Sequence, residues 1–143
     1  MISLEKIMTK DVVMARTTTS LYEAVRTMAD GNITGLPVVD EDDKLVGIVT
    51  EKDVIRYLLN TEGIDGTVED CMSADVVSLN LDDYTMLDAV KILVENNFRR
   101  IPIESEGKVK GVISRRDVIL YILSCELKER GVINAAVGGK VFA

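Results

Sequence analysis

In Gly47-Ile48-Val49-Thr50-Glu51-Lys52-Asp53 a short apolar strand runs into a helix through a hydroxyl and a carboxylate three residues apart. Thr50 is a good N-cap residue and Asp53 falls at the third helical position. The pair therefore reads as a capping box, in which each side chain satisfies a backbone donor that the first helical turn leaves unpaired. Alone, a Ser/Thr-x-x-Asp/Glu motif marks no more than a helix start. Here it recurs as Gly111-Val112-Ile113-Ser114-Arg115-Arg116-Asp117, and residues 47 and 111 are 64 apart. The chain is built twice.

Working outward, residues 3–13 align without gaps on residues 67–77, with Glu, Met, Asp, Val and Val identical. Each half should open with a capped turn at Ser3 or Thr67, passing through Met8 or Met72 into a short strand over 12–14 or 76–79. Ser20-Leu21-Tyr22-Glu23 has capping-box spacing, and Leu21, Ala24, Val25 and Met28 then share one helical face up to a stop at Gly31. Met86, Ala89, Val90 and Leu93 repeat that face one residue out of step, which places a loop insertion in the second half. Strands follow over 36–39 and 101–104. Pro37 and Pro102 are their second residues, a position where a missing donor is tolerated only at an edge or near a strand's start.

Asp40-Glu41-Asp42-Asp43-Lys44 lacks the spacing and glycine of a calcium loop, and its equivalent, Ser105-Glu106-Gly107-Lys108, has lost the acidic cluster. It reads as a solvated turn. After each corner, Val54, Ile55, Leu58 and Leu59 match Val118, Ile119, Ile122 and Leu123, a stripe expected in the core or between helices. The link over 60–66 is short, so the halves should pack together. The fold class expected is mixed α/β, with two βαββα halves at 3–60 and 67–125. The last helix should end at Gly131, and the apolar tail within 126–143 should pack on the body or on a second chain.

Composition narrows the function. Of 143 residues, 47% are apolar and 29% charged, enough for a real core. Seventeen basic against twenty-four acidic residues give a net charge of −7, which disfavours a nucleic acid, whose affinity for proteins rests mainly on cationic contacts. The longest uncharged, mostly apolar run, 118–125, is far shorter than the roughly 20 residues that span a bilayer. The N-terminus lacks a secretory pattern, so the expected location is cytoplasmic. There is no histidine, which removes the commonest general base and most transition-metal arrangements. No enzyme activity and no cofactor are expected. Cys71 and Cys125, without CxxC spacing, read as buried small apolar residues.

Each half thus reads strand, helix, strand, strand, helix, opened by Met-Thr/Ser-x-Asp-Val-Val and closed by Gly-x-x-Thr/Ser-x-x-Asp. This resembles the CBS domain in its tandem pair, the Bateman module, over about residues 3–125. The resemblance implies two small sheets packed face to face about a pseudo-twofold axis, with two clefts for an adenosine-containing ligand. It implies that Asp53 and Asp117 accept hydrogen bonds from ribose hydroxyls and that Thr50 and Ser114 reach phosphate. The base would lie near Val12 and Val13 or Val76 and Val77. Corner two offers Arg115 and Arg116 where corner one has Glu51 and Lys52, and Arg99-Arg100 stands where the first half has Thr34-Gly35. By resemblance Arg100, two before the proline, reaches phosphate, and the arginine-rich cleft is expected to be that of corner two. The function implied is a regulatory module for adenine nucleotides, AMP first with ADP and ATP competing, acting on an unidentified protein partner. S-adenosylmethionine, NAD, or a homodimeric scaffold without a small ligand are the alternatives, and a homodimer is expected either way.

Overall fold

The computed structural model describes residues 1–129. The expected stop at Gly131 and the packing of the tail beyond residue 129 fall outside that range.

The first half places β1 (Ala15–Arg16), α1 (Leu21–Gly31), β2 (Gly35–Val39), β3 (Leu45–Thr50) and α2 (Glu51–Thr61) in that order. The second repeats it with β4 (Leu79–Asn80), α3 (Met86–Glu95), β5 (Arg100–Ser105), β6 (Lys108–Ser114) and α4 (Arg115–Glu129). Each half forms a three-stranded sheet, β1-β2-β3 or β4-β5-β6, whose first pair is parallel and second antiparallel. Leu36, Val38, Val49, Ala24 and Met28 fill the first core, and Ile101, Ile103, Ile113, Ala89 and Leu93 the second. Two small layers of helix and sheet result, each burying the apolar face that the repeat pattern marks.

The openings of the halves are exchanged. Leu4 and Ile7 belong to the second core, while Val68 is buried in the first with Cys71 and Met72 packed against it. Backbone bonds hold these crossings: Thr9 and Val112 exchange N–H···O bonds of 2.9 Å in both directions, as do Ser73 and Ile48. The repeated glycines now have a cause. A Cβ on Gly47 would lie 2.7 Å from Met72 Sδ and 2.9 Å from the Ser73 carbonyl oxygen, and one on Gly111 would lie 2.6 Å from Met8 Sδ and 2.9 Å from that of Thr9. The methionine of one half and the glycine of the other are a fitted pair.

Several expectations need correction. Residues 12–14 and 76–78 are not strands, because β1 and β4 begin only at Ala15 and Leu79 after the crossing segment has returned to its own half. Asn32 rather than Gly31 ends α1, adopting the left-handed conformation at φ 52° with its N–H bonded back to the helix. Pro37 and Pro102 lie in central strands, yet β1 and β4 pair only from Val38 and Ile103 onward, so the prolines sit beyond the reach of the parallel neighbour. Val54 is buried, but Ile55, Leu59, Ile119 and Ile122 are exposed rather than core. Cys125 is exposed, and Cys71 is only half-buried. The acidic turn is a turn: the Asp40 carboxylate accepts from the N–H groups of Asp42 and Lys44, and Arg16 pairs with Asp43.

Candidate functional site

Both corners form the reciprocal cap. At corner one the Thr50 N–H donates to Asp53 Oδ2 (2.9 Å), and the Asp53 N–H donates to Thr50 Oγ1 (3.2 Å). At corner two the Ser114 N–H donates to Asp117 Oδ2 (2.7 Å), and the Asp117 N–H to Ser114 Oγ (3.2 Å). Each hydroxyl also donates to the same Oδ2 at 2.9 Å. A hydroxyl has one proton. Toward any phosphate, Thr50 and Ser114 as placed therefore offer lone pairs, and donors must come from elsewhere.

The second carboxylate oxygens differ. Asp53 is buried, and its Oδ1 meets only the mostly exposed Arg56 at 3.5 Å, a weak pairing. Asp117 Oδ1 accepts from the Thr9 hydroxyl at 2.9 Å. Asp53 Oδ1 thus retains more acceptor capacity for a diol than Asp117 Oδ1, which already accepts one full hydrogen bond from Thr9.

Each corner opens into a cleft built by both halves. Cleft one, about 490 Å³, sets Thr50, Lys52 and Asp53 opposite Phe98, Arg99 and Arg100 of the second half, with Ser73 and Asp75 at its side. Cleft two, about 190 Å³, sets Ser114 and Asp117 against Gly35 and Pro37 of the first half, with Val12 and Val13 on its wall. Small-molecule pockets run to roughly 300–1,000 Å³, a range only cleft one reaches.

The arginine doublet expected beside corner two thus faces corner one. Arg100 lines both clefts, its Nη2 donates to Thr34 Oγ1 at 2.9 Å, and its buried Nε has no hydrogen-bond partner. Burial lowers its pKa most, Asp117 opposes that, Arg99 adds to it and Glu51 opposes it. It remains a cation, as guanidinium groups in proteins do. Arg115 turns away, donating to the Leu93 carbonyl at the end of α3, and neither it nor the exposed Arg116 lines either cleft. Val76 and Val77 likewise leave cleft one to Ser73 and Asp75. Sequence reasoning passed over Thr9, Ser73 and Phe98. The first two follow the repeated methionines directly, and their place beside the other half's corner appears only once the openings cross.

The family model for the CBS domain matches residues 4–60 and again 68–124, almost the whole repeat. The chain belongs to the CBS domain family. This CBS pair is 33% identical over 129 residues to an uncharacterized 17.7 kDa protein of Acidianus ambivalens, covering 90% of this chain and 77% of that one. It is 31% identical over 116 residues to the uncharacterized protein MJ1225 of Methanocaldococcus jannaschii, covering 81% of this chain but only 41% of that protein's length. Among solved structures, CBSX2 of Arabidopsis thaliana in complex with AMP superposes with a TM-score of 0.77 at 26% identity, covering 88% of this chain and 99% of that one. Among the described residues no group of His, Cys, Asp and Glu is arranged to hold a metal, and no helix is long and apolar enough to cross a membrane.

Proposed function

We propose that this CBS pair is a regulatory module that binds adenine nucleotides, AMP first with ADP and ATP competing, and signals occupancy to a protein partner. The observation that carries the reading is cleft one. Across one space of ligand size it faces a buried carboxylate with a spare acceptor oxygen toward a doublet of arginines. An ionised carboxylate only accepts and suits a ribose diol, while arginine's fork suits phosphate. The AMP complex of the similar CBSX2 supports the same ligand class. The set of side chains suits binding rather than catalysis, since the hydroxyl and carboxylate that stand together in the cleft, Thr50 and Asp53, close the helix cap.

A thermal-shift panel of AMP, ADP, ATP, S-adenosylmethionine and NAD tests the ligand class. A ligand at a hundredfold excess over its Kd stabilises the fold by about 2.7 kcal/mol, so AMP is expected to raise Tm most. A larger rise with S-adenosylmethionine or NAD would move the reading to that ligand, and no rise with any of them would favour the scaffold. The exposed Ile55, Leu59, Ile119 and Ile122 on α2 and α4 support a second copy docking on these helices. Sedimentation of Leu59→Glu and Ile119→Glu variants should show monomers where the native chain forms dimers.

A further inference from the structure

The repeat gives the two clefts one cation to share. Arg100 pairs in β-sheet register with Ser114 of corner two, and Gly35, at the matching place two before the proline, pairs with Thr50 of corner one. Both residues line both clefts, but only one of them carries a side chain. From its backbone beside corner two, Arg100 reaches across to Thr34 of the first half, leaving its buried Nε unpaired. The charges around the two clefts then differ. Cleft one sets Lys52, Arg99 and Arg100 against Glu51, Asp53 and Asp75, whereas among the described residues lining cleft two Arg100 is the single cation, facing two carboxylates, Asp11 and Asp117.

From this geometry we infer that Arg100 serves one phosphate group at a time, so the chain takes phosphate-bearing nucleosides in order, cleft one first, with cleft two weakened by the first occupant. The inference rests on the nucleotide reading above and adds the order and coupling of the sites. An anion in cleft one that draws the Arg100 guanidinium toward it pairs with its fork and gives the Nε–H, unpartnered as placed, an acceptor, a favourable exchange. Cleft two then presents two carboxylates and no counter-charge to a second phosphate, and like charges at close range oppose binding. With Thr9 already donating to Asp117 Oδ1, a ribose there must share that oxygen with an existing hydrogen bond.

The test is an amide NMR titration of the full chain with AMP, reading Lys52 and Asp53 for cleft one and Val12 and Val13 for cleft two. The expected result is that the cleft-one amides saturate first and the cleft-two amides move only at AMP concentrations on the order of tenfold higher or more. In Arg100→Ala, whose fold is checked by unchanged amides in α1 and α3, the cleft-one midpoint should rise on the order of tenfold and the cleft-two amides should no longer respond. Arg100→Lys, which keeps charge but loses the fork, should preserve the order with weaker binding. Both amide sets moving together at one midpoint, cleft two filling first, or an Arg100→Ala midpoint within about twofold of native would overturn the inference while leaving the nucleotide reading intact. No response at either cleft in the native chain would overturn both.

Discussion

At the residue scale, Asp53 has two duties that mutation can separate. Its Oδ2 closes the helix cap, and its Oδ1 is the spare acceptor of cleft one. Asp53→Asn should cost about 1 kcal/mol of stability through the cap. It should also weaken AMP roughly tenfold to a hundredfold, measured by urea melts and by calorimetry on the same sample. Asp117→Asn should match the stability loss but spare the tight site, since Asp117 lines cleft two and not cleft one. Equal affinity losses for both variants would show that the clefts are equivalent. Arg100→Ala should weaken AMP more than adenosine, and equal losses would remove its phosphate role. Cys71 gives a pH signature: burial first, then the nearby charges of Asp53 and Asp70, push its thiol up to about 11. The native state therefore holds that proton after the unfolded chain has lost it. Its contribution is complete at neutral pH and fades as pH rises from the ordinary thiol range toward 11. Iodoacetamide at pH 8 should accordingly alkylate the exposed Cys125 well before Cys71. The reverse order would contradict the burial of Cys71. The capping corners were legible in sequence because hydroxyl and carboxylate spacing is local. The destination of Arg100 was not, because its side chain leaves its own half.

At the scale of elements, the repeat signature is a packing rule. Gly47 and Gly111 are strand residues with ordinary extended backbone, so their missing side chains answer to close approach rather than to φ. Gly47→Ala or Gly111→Ala should destabilise by about 1–3 kcal/mol, the usual cost of overpacking. Trimming Met8 to alanine should not rescue Gly111→Ala, since the Thr9 carbonyl oxygen would still lie 2.9 Å from the new methyl. Full rescue in a double-mutant cycle would place the constraint on the methionine side chain alone. Helices and the β2–β3 and β5–β6 hairpins were readable from periodicity and turn residues. The opening strands were misplaced by a few residues, because the valines at 12, 13, 76 and 77 carry strand propensity while the backbone there is completing a crossing. The stripes on α2 and α4 show the same limit. Helical spacing gives an apolar face but does not say whether this chain or another covers it.

For the whole molecule, the exchanged openings make each half incomplete alone. Leu4, fully buried at the start of the chain, stabilises the second half's core. Leu4→Ala should cost about 2–5 kcal/mol. Its loss of hydrogen-exchange protection should be concentrated in β5 and β6 rather than in the neighbouring β2. Loosening of β2 first would mean that the openings pack on their own halves. The sequence showed the duplication plainly, since identical spacing survives in both copies, but it carried no sign of which copy each opening joins. That exchange brings Ser73 beside Asp53 and Thr9 beside Asp117, and with them makes two clefts from one repeated motif. The proposed function requires that cleft one hold an adenine nucleotide. Calorimetric titration of the ligand-stripped protein with AMP at two temperatures tests it most directly, the second temperature guarding against a vanishing heat at the first. Saturable binding with one tight site per chain, abolished or strongly weakened in Asp53→Asn, is the result expected. No heat of binding at either temperature, or a tight site untouched by Asp53→Asn and lost in Asp117→Asn, would contradict it.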